Sequence, residues 1–222
     1  TIAENSSSNC IVPFTVAQNG MQHCKLYLTE YPDPDMLFDD EYFFSYNIEN
    51  KVSVLQLVEK ENTNDTLGYL GNLFNMNDLF RFTSKSLNNL DFSTLNQYDF
   101  IITKGLTDIS TGLSSELINY TNQGGSLLVF PSSTINLDTY KNFLQRISGC
   151  NLIALDTGST RVSYLNVEHP IYKDVFDKLP NNVDLPKVNQ HYVISFANSS
   201  GTEYLMNLQN GNSFLSSTKV NK

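Results

Sequence analysis

Along this chain the hydrophobic pattern changes period near Lys51. Upstream, apolar side chains fall at alternate positions over residues 11–17 and 23–30, on either side of Asn19-Gly20. Alternation places them on one face of a pleated strand. Asn-Gly readily takes the left-handed backbone of a two-residue turn, so the two runs are expected to pair as a hairpin. In that register Val16 stands opposite Cys24. Tyr31-Pro32-Asp33-Pro34-Asp35 then excludes a central strand or a helix interior, because proline has no N–H to donate to either. Glu41–Ile48 reads as a further strand. Residues 1–49 are therefore expected to form a β-rich segment, polar and loose over the first ten residues and too small to make a sandwich alone.

Downstream of Lys51, short apolar runs alternate with helical spacing. Val52–Val58 is largely apolar, the mark of a strand covered on both faces. Asp65-Thr66 can cap a helix running through Leu67, Leu70, Leu73 and Phe74. Leu79–Thr83, Asp99–Thr103 and Ser126–Phe130 supply three more strands, the middle one ending at Lys104-Gly105 and the last halted by Pro131. Leu113, Leu117 and Tyr120 recur at helical spacing before Gly124-Gly125, and residues 137–147 form a helix ending at Gly149. Strands alternating with helices build parallel βαβ units with right-handed crossovers. Past Cys150 the alternation weakens. Residues 162–167 and 188–196 read as extended and 170–179 as a short helix opened by Pro170. Residues 203–208 and 213–218 read as a hairpin turning at Gln209–Asn212. The expected fold is α/β: a flavodoxin-like three-layer sandwich with a parallel central sheet over residues 50–222, ending in that β hairpin and preceded by the β-rich 1–49.

Composition narrows the picture. The 222 residues are 40% hydrophobic and 17% charged, enough to bury a real core. Trp is absent, so 14 Phe and 12 Tyr must supply the aromatic packing. The net charge of −9 repels phosphate backbones and no Lys/Arg run offsets it, so nucleic acid is not an expected partner. No apolar run reaches the ~18–20 residues that span a bilayer. Cys10, Cys24 and Cys150 fit no zinc spacing. The hairpin register puts Cys10 roughly 20 Å along the ladder from Cys24, at ~3.3 Å per residue. A disulfide tolerates only ~7 Å between Cα atoms, so three free thiols are expected. The chain begins at Thr1 and ends at Val220-Asn221-Lys222, and is expected to be a piece of a longer protein.

Tyr98–Gly105, Leu113–Tyr120 and Gly124–Pro131, taken together, resemble the class I glutamine amidotransferase-like fold. Three further stretches narrow the likeness: Phe38–Ser45 leading into the first α/β strand, Val167–Phe176, and Leu208–Gly211. With them, the chain from about residue 12 onward resembles the extramembrane region of Bacteroidetes proteins that carry an N-terminal BatA (aerotolerance regulator) membrane domain. Residues 1–49 resemble the last strands of an immunoglobulin-like sandwich. The resemblance implies a membrane-anchored parent with this portion on the periplasmic side. It also implies assembly with other envelope or Bat-type membrane proteins more than catalysis. Amidotransferases of this fold hold a Cys in a Gly-x-Cys-x-Gly turn. The nearest stretch here, Phe130-Pro131-Ser132-Ser133-Thr134, has neither that Cys nor its glycines, and the family's His-x-Glu pair has no counterpart. The activity is not carried over, and no cofactor is expected.

Three constellations remain as candidates. Ser132 follows a strand's carboxyl end, where open α/β sheets present ligands, and His169 could serve it as base with Asp156 or Glu168 orienting the imidazole. A degenerate serine hydrolase is the alternative function this pair implies; the bland reading is a strand stop and a helix-terminal histidine. Glu59, Glu61, Lys104 and Ser132 border one crevice if the strand order reverses between the first and third strands, which makes them candidate ligand contacts. Asp33, Asp35, Asp39 and Asp40 supply oxygens that a calcium- or carbohydrate-binding module would use, though their spacing is not that of an EF-hand. The favoured expectation is a non-catalytic interaction domain.

Overall fold

The computed structural model describes residues 9, 11–14, 20–27, 41–48, 51–60, 68–173, 175, 184–197 and 201–220. Contacts divide the chain into two units, Thr1–Lys51 and Val52–Lys222.

In the first unit, β1 (Gly20–Tyr27) pairs antiparallel with β2 (Glu41–Ile48), Cys24 standing opposite Phe44. This corrects the expected Asn-Gly hairpin: the partner of β1 is β2, and residues 11–14 lie outside any strand. The reason is cross-strand packing. Tyr42, Phe44 and Tyr46 share one face of β2, with ring centroids 6.1 and 6.2 Å apart. Pairing with β1 sets Leu26 and Cys24 beside the first two rings, and Phe14 lies 5.6 Å from Tyr46. Cys24 and Cys150 are free thiols; Cys10 lies outside the described residues.

The second unit opens with β3 (Val52–Val58), α1 (Gly68–Asn75), β4 (Phe80–Ser86), β5 (Phe100–Leu106), α2 (Thr111–Asn122), β6 (Ser126–Pro131) and α3 (Leu137–Ser148). Its four strands form one parallel sheet in the order β4-β3-β5-β6. Alternate positions explain the packing. Leu55, Leu57 and Ile101 are fully buried with Leu113, Leu117 and Tyr120 of α2 and Tyr140 and Phe143 of α3. Intervening positions carry Phe82 and Phe100, which gather with Phe80 around Phe74 of α1 at 5.2 to 6.5 Å. The helix ends follow local chemistry. Ser110 and Asn136 accept the N–H groups of Leu113 and Asp138, and Gly149 closes α3 at φ 66°.

Beyond α3 the architecture becomes antiparallel. β7 (Cys150–Asp156) pairs with β10 (His191–Phe196). β8 (Thr160–Leu165), β9 (Lys187–Val188), β11 (Thr202–Leu208) and β12 (Ser213–Thr218) form a second four-stranded sheet in the order β12-β11-β8-β9. Among the described residues the unit is therefore a mixed α/β structure, with a parallel sheet of four strands followed by antiparallel pairings.

Candidate functional site

The order β4-β3-β5-β6 makes the chain reverse direction between β3 and β5, the first and third parallel strands. The carboxyl ends of those two strands meet through side chains. Thr107, just past β5, donates its hydroxyl to Glu59 Oε1 at 2.7 Å, and Ser86 donates to the Glu59 carbonyl at 3.0 Å. Asp108 Oδ1 accepts from the Thr139 hydroxyl at 2.6 Å. Tyr140, fully buried, donates to the Leu106 carbonyl at 2.7 Å. Burial holds its phenol above the usual tyrosine range, and Tyr192, Asp108 and Glu59 add to the effect. These groups thus share one locality.

Ser132 is fixed there from three sides. Its N–H donates to the Leu106 carbonyl at 3.4 Å, and its carbonyl accepts from the Tyr192 hydroxyl at 2.8 Å. Its own Oγ accepts from the Thr134 N–H at 3.4 Å. Lys104 is exposed on β5 opposite Phe130, just before a register shift at Gly105, whose φ of 66° suits glycine. Glu61, Asp33, Asp35, Asp39 and Asp40 lie outside the described residues. Among the described residues, no three His, Cys, Asp or Glu side chains gather as a metal-ligand set.

His169 caps the short 3₁₀ helix Pro170–Tyr172. Its Nδ1 accepts from the Ile171 N–H at 3.2 Å, and its Nε2 lies 3.0 Å from Glu203 Oε2 on β11. An acceptor at Nδ1 puts the proton of the neutral ring on Nε2, facing Glu203. No hydrogen bond joins Ser132 to His169. Asp156, one of the two expected orienting acids with Glu168, stands opposite a different histidine: in the β7–β10 register it faces His191, with Oδ2 3.8 Å from Nε2. Asn212 Nδ2 lies 2.9 Å from that same Nε2, while the buried Nδ1 of His191 has no hydrogen-bond partner among the described residues. Sequence reasoning missed this pairing because it missed β7. The available signal was the short apolar run Leu152-Ile153-Ala154-Leu155 just after the Gly149 stop. The third histidine, His23, lies 2.8 Å from Ser45 Oγ as an exposed cross-strand pair.

No known protein family and no curated protein matches the chain. A solved structure of a ThuA-like protein from Bacteroides uniformis ATCC 8492 is similar, with a TM-score of 0.57 and 14% identity over 78% of this chain and 80% of that one. The likeness is one of fold, of the class I glutamine amidotransferase-like kind. An exo-β-1,4-mannosidase from an Opitutaceae bacterium (strain TAV5) and a GH42 β-galactosidase from G. stearothermophilus are more remote, at 12% and 14% identity with TM-scores of 0.43. This chain spans 29% and 25% of them.

Proposed function

We propose that this chain is a non-catalytic interaction domain, a three-layer α/β sandwich carried by a longer, membrane-anchored envelope protein of the BatA type and facing the periplasm. Its partners are other envelope or Bat-type membrane proteins. The observation that carries the reading is the state of the two residues best suited to hydrolysis. Ser132 accepts a turn N–H at its hydroxyl, and His169 spends one ring nitrogen on a helix cap and aims the other at Glu203. A serine nucleophile needs a base within hydrogen-bond reach, held in turn by a third group. Here the Ser132 hydroxyl and the His169 Nδ1 each accept a backbone N–H two residues on, and the other ring nitrogen of His169 faces Glu203. The switch-point crevice is likewise internally paired, Glu59 with Thr107 and Asp108 with Thr139.

A fluorophosphonate probe tests the catalytic half. The expected outcome is no labelling of the wild-type chain above the Ser132→Ala variant. Labelling of Ser132 that disappears in His169→Ala would overturn it. Protease accessibility tests the location: in cells of the source organism the domain is expected to resist added protease until the outer envelope is opened. Recovery of intact domain in the soluble cytoplasmic fraction would refute the periplasmic assignment.

A further inference from the structure

His191 opens β10 and is buried, its side chain 4% exposed. The polar anchorage of its ring rests on one nitrogen, because Nδ1 has no hydrogen-bond partner among the described residues. Nε2 meets three side chains: Asn212 Nδ2 at 2.9 Å, Asn210 Nδ2 at 3.5 Å and Asp156 Oδ2 at 3.8 Å. The two asparagines belong to the turn between β11 and β12, which closes with the Leu208 N–H donating to the Asn212 carbonyl at 2.8 Å. Asp156 ends β7, the strand paired with β10. One imidazole nitrogen thus joins the second four-stranded sheet to the β7–β10 pair.

The turn fixes which atoms face the ring. Asn210 Oδ1 accepts the Asn212 N–H at 3.1 Å, so its amide is held with the nitrogen towards His191. Asn212 presents its NH₂ as well, so Nε2 is met by donors and accepts. The proton of the neutral ring then sits on Nδ1. A protonated ring carries N–H on both nitrogens and accepts nothing. Its Nε2–H would point at two NH₂ groups, a donor against donors, with the Asp156 carboxylate close by. A charge-assisted hydrogen bond is roughly twice as strong as a neutral one. Asp156 can close the gap, its side chain being 38% exposed, and its Oδ1 stays anchored by the Gly158 N–H at 2.7 Å. The other charges near this turn are engaged or exposed. Arg161, whose carbonyl accepts the Gln209 N–H, pairs through its guanidinium with Asp184, and Lys187 opposite Arg161 is exposed.

We propose that His191 is a proton-operated latch. Neutral, it accepts from Asn212 and ties the β11–β12 turn to β10. Protonated, it releases Asn212 and donates to Asp156, and the turn loosens. Imidazole ordinarily changes charge between pH 5 and 8, so the test compares those two values.

The whole 222-residue chain, labelled with ¹⁵N, would be followed by NMR. At pH 8 the ring nitrogen shifts of His191 are expected to place the proton on Nδ1, and the Asn212 side-chain amide to show nuclear Overhauser contacts with the ring. At pH 5 those contacts are expected to vanish. Hydrogen-exchange protection of the Leu208 amide, corrected for the intrinsic effect of pH, is expected to fall roughly fivefold there. His191→Gln still offers an acceptor oxygen but takes no proton, and should give the same protection at both pH values. Asp156→Asn keeps an oxygen for the Gly158 N–H and should make the fall smaller. A proton on Nε2 at pH 8 would overturn the latch. So would contacts with Asn212 that persist at pH 5, because Asn212 would then have turned its oxygen to the charged ring. A fall of wild-type size in His191→Gln would remove His191 as its cause, and one in Asp156→Asn would remove Asp156 as the acceptor.

Discussion

Gly124 and Gly125 are adjacent in sequence but are glycine for different reasons. Gly124 sits at φ 97°, a left-handed backbone that other L-residues enter at a cost, yet a Cβ there would meet nothing within 4 Å. Gly125 has no such backbone. A Cβ on it would lie 2.2 Å from Cζ of Tyr120, a ring that is 2% exposed and has no room to retreat. Gly124→Ala is expected to cost about 1–2 kcal/mol from backbone strain. Gly125→Ala is expected to cost about 2–3 kcal/mol from overpacking. Urea denaturation separates the two causes when each is combined with Tyr120→Leu. The Gly125→Ala penalty should shrink in the double variant, and the Gly124→Ala penalty should not. In the sequence both glycines read as one helix stop. That reading fits Gly124, because a stop is a local backbone property. It could not find the role of Gly125, because the ring that demands it arrives from the preceding helix only once α2 has packed.

At the scale of elements, the short 3₁₀ helix after β8 depends on one side chain. His169 Nδ1 accepts the Ile171 N–H, and Nε2 reaches Glu203 on β11, so the residue fastens this helix to the antiparallel sheet. His169→Ala is expected to cost about 1 kcal/mol, the usual value of a lost cap. His169→Asn retains a capping oxygen and should recover most of that loss in chemical denaturation. If Ala and Asn behave alike, the cap contributes nothing. Elements of this kind were partly legible in the sequence. Val52–Val58, Ser126–Pro131 and the two long helices follow from runs of apolar residues and from capping chemistry, all local properties. The partners of β1 and β7 were not legible. β1 lies next to an Asn-Gly turn signal yet pairs with β2, and β7 waits for β10, which starts 35 residues after β7 ends. Antiparallel pairing across long separations is decided by which faces need covering, and that depends on the whole fold. The Asp156–His191 contact was hidden for the same reason: it exists only in the β7–β10 register.

At the scale of the whole molecule, burial of weak acids sets how the fold responds to alkali. Burial raises the phenol of Tyr120 to about 12 and the thiol of Cys150, 5% exposed, to about 11. It also raises the phenols of Tyr140, Tyr172 and Tyr192. In every case the folded state holds a proton that the unfolded chain releases at the ordinary value. Below that ordinary value both states are protonated and stability does not depend on these groups. Above it the unfolded chain binds fewer protons, so stability falls as pH rises towards the folded value. Tyr120 and Cys150, whose folded values lie well above their ordinary ones, each then contribute a slope of at most about −1.4 kcal/mol per pH unit between the two. The melting temperature is therefore expected to be flat from neutral pH to about 9 and to fall steeply above it. Cys150 enters first, because a thiol's ordinary value lies below a phenol's. Cys150→Ala should start from a lower plateau, having lost buried volume, but decline less between about pH 9 and 10 than the wild type does. A decline of equal steepness in that window would mean that the buried thiol titrates as it does in the unfolded chain. In the same titration followed by tyrosinate absorbance near 295 nm, the part of the signal that Tyr120→Phe and Tyr140→Phe remove is expected to appear together with unfolding and not before it. That coincidence is expected because the Tyr120 and Tyr140 hydroxyls are both committed to backbone carbonyls of the parallel sheet, at Ser126 and Leu106.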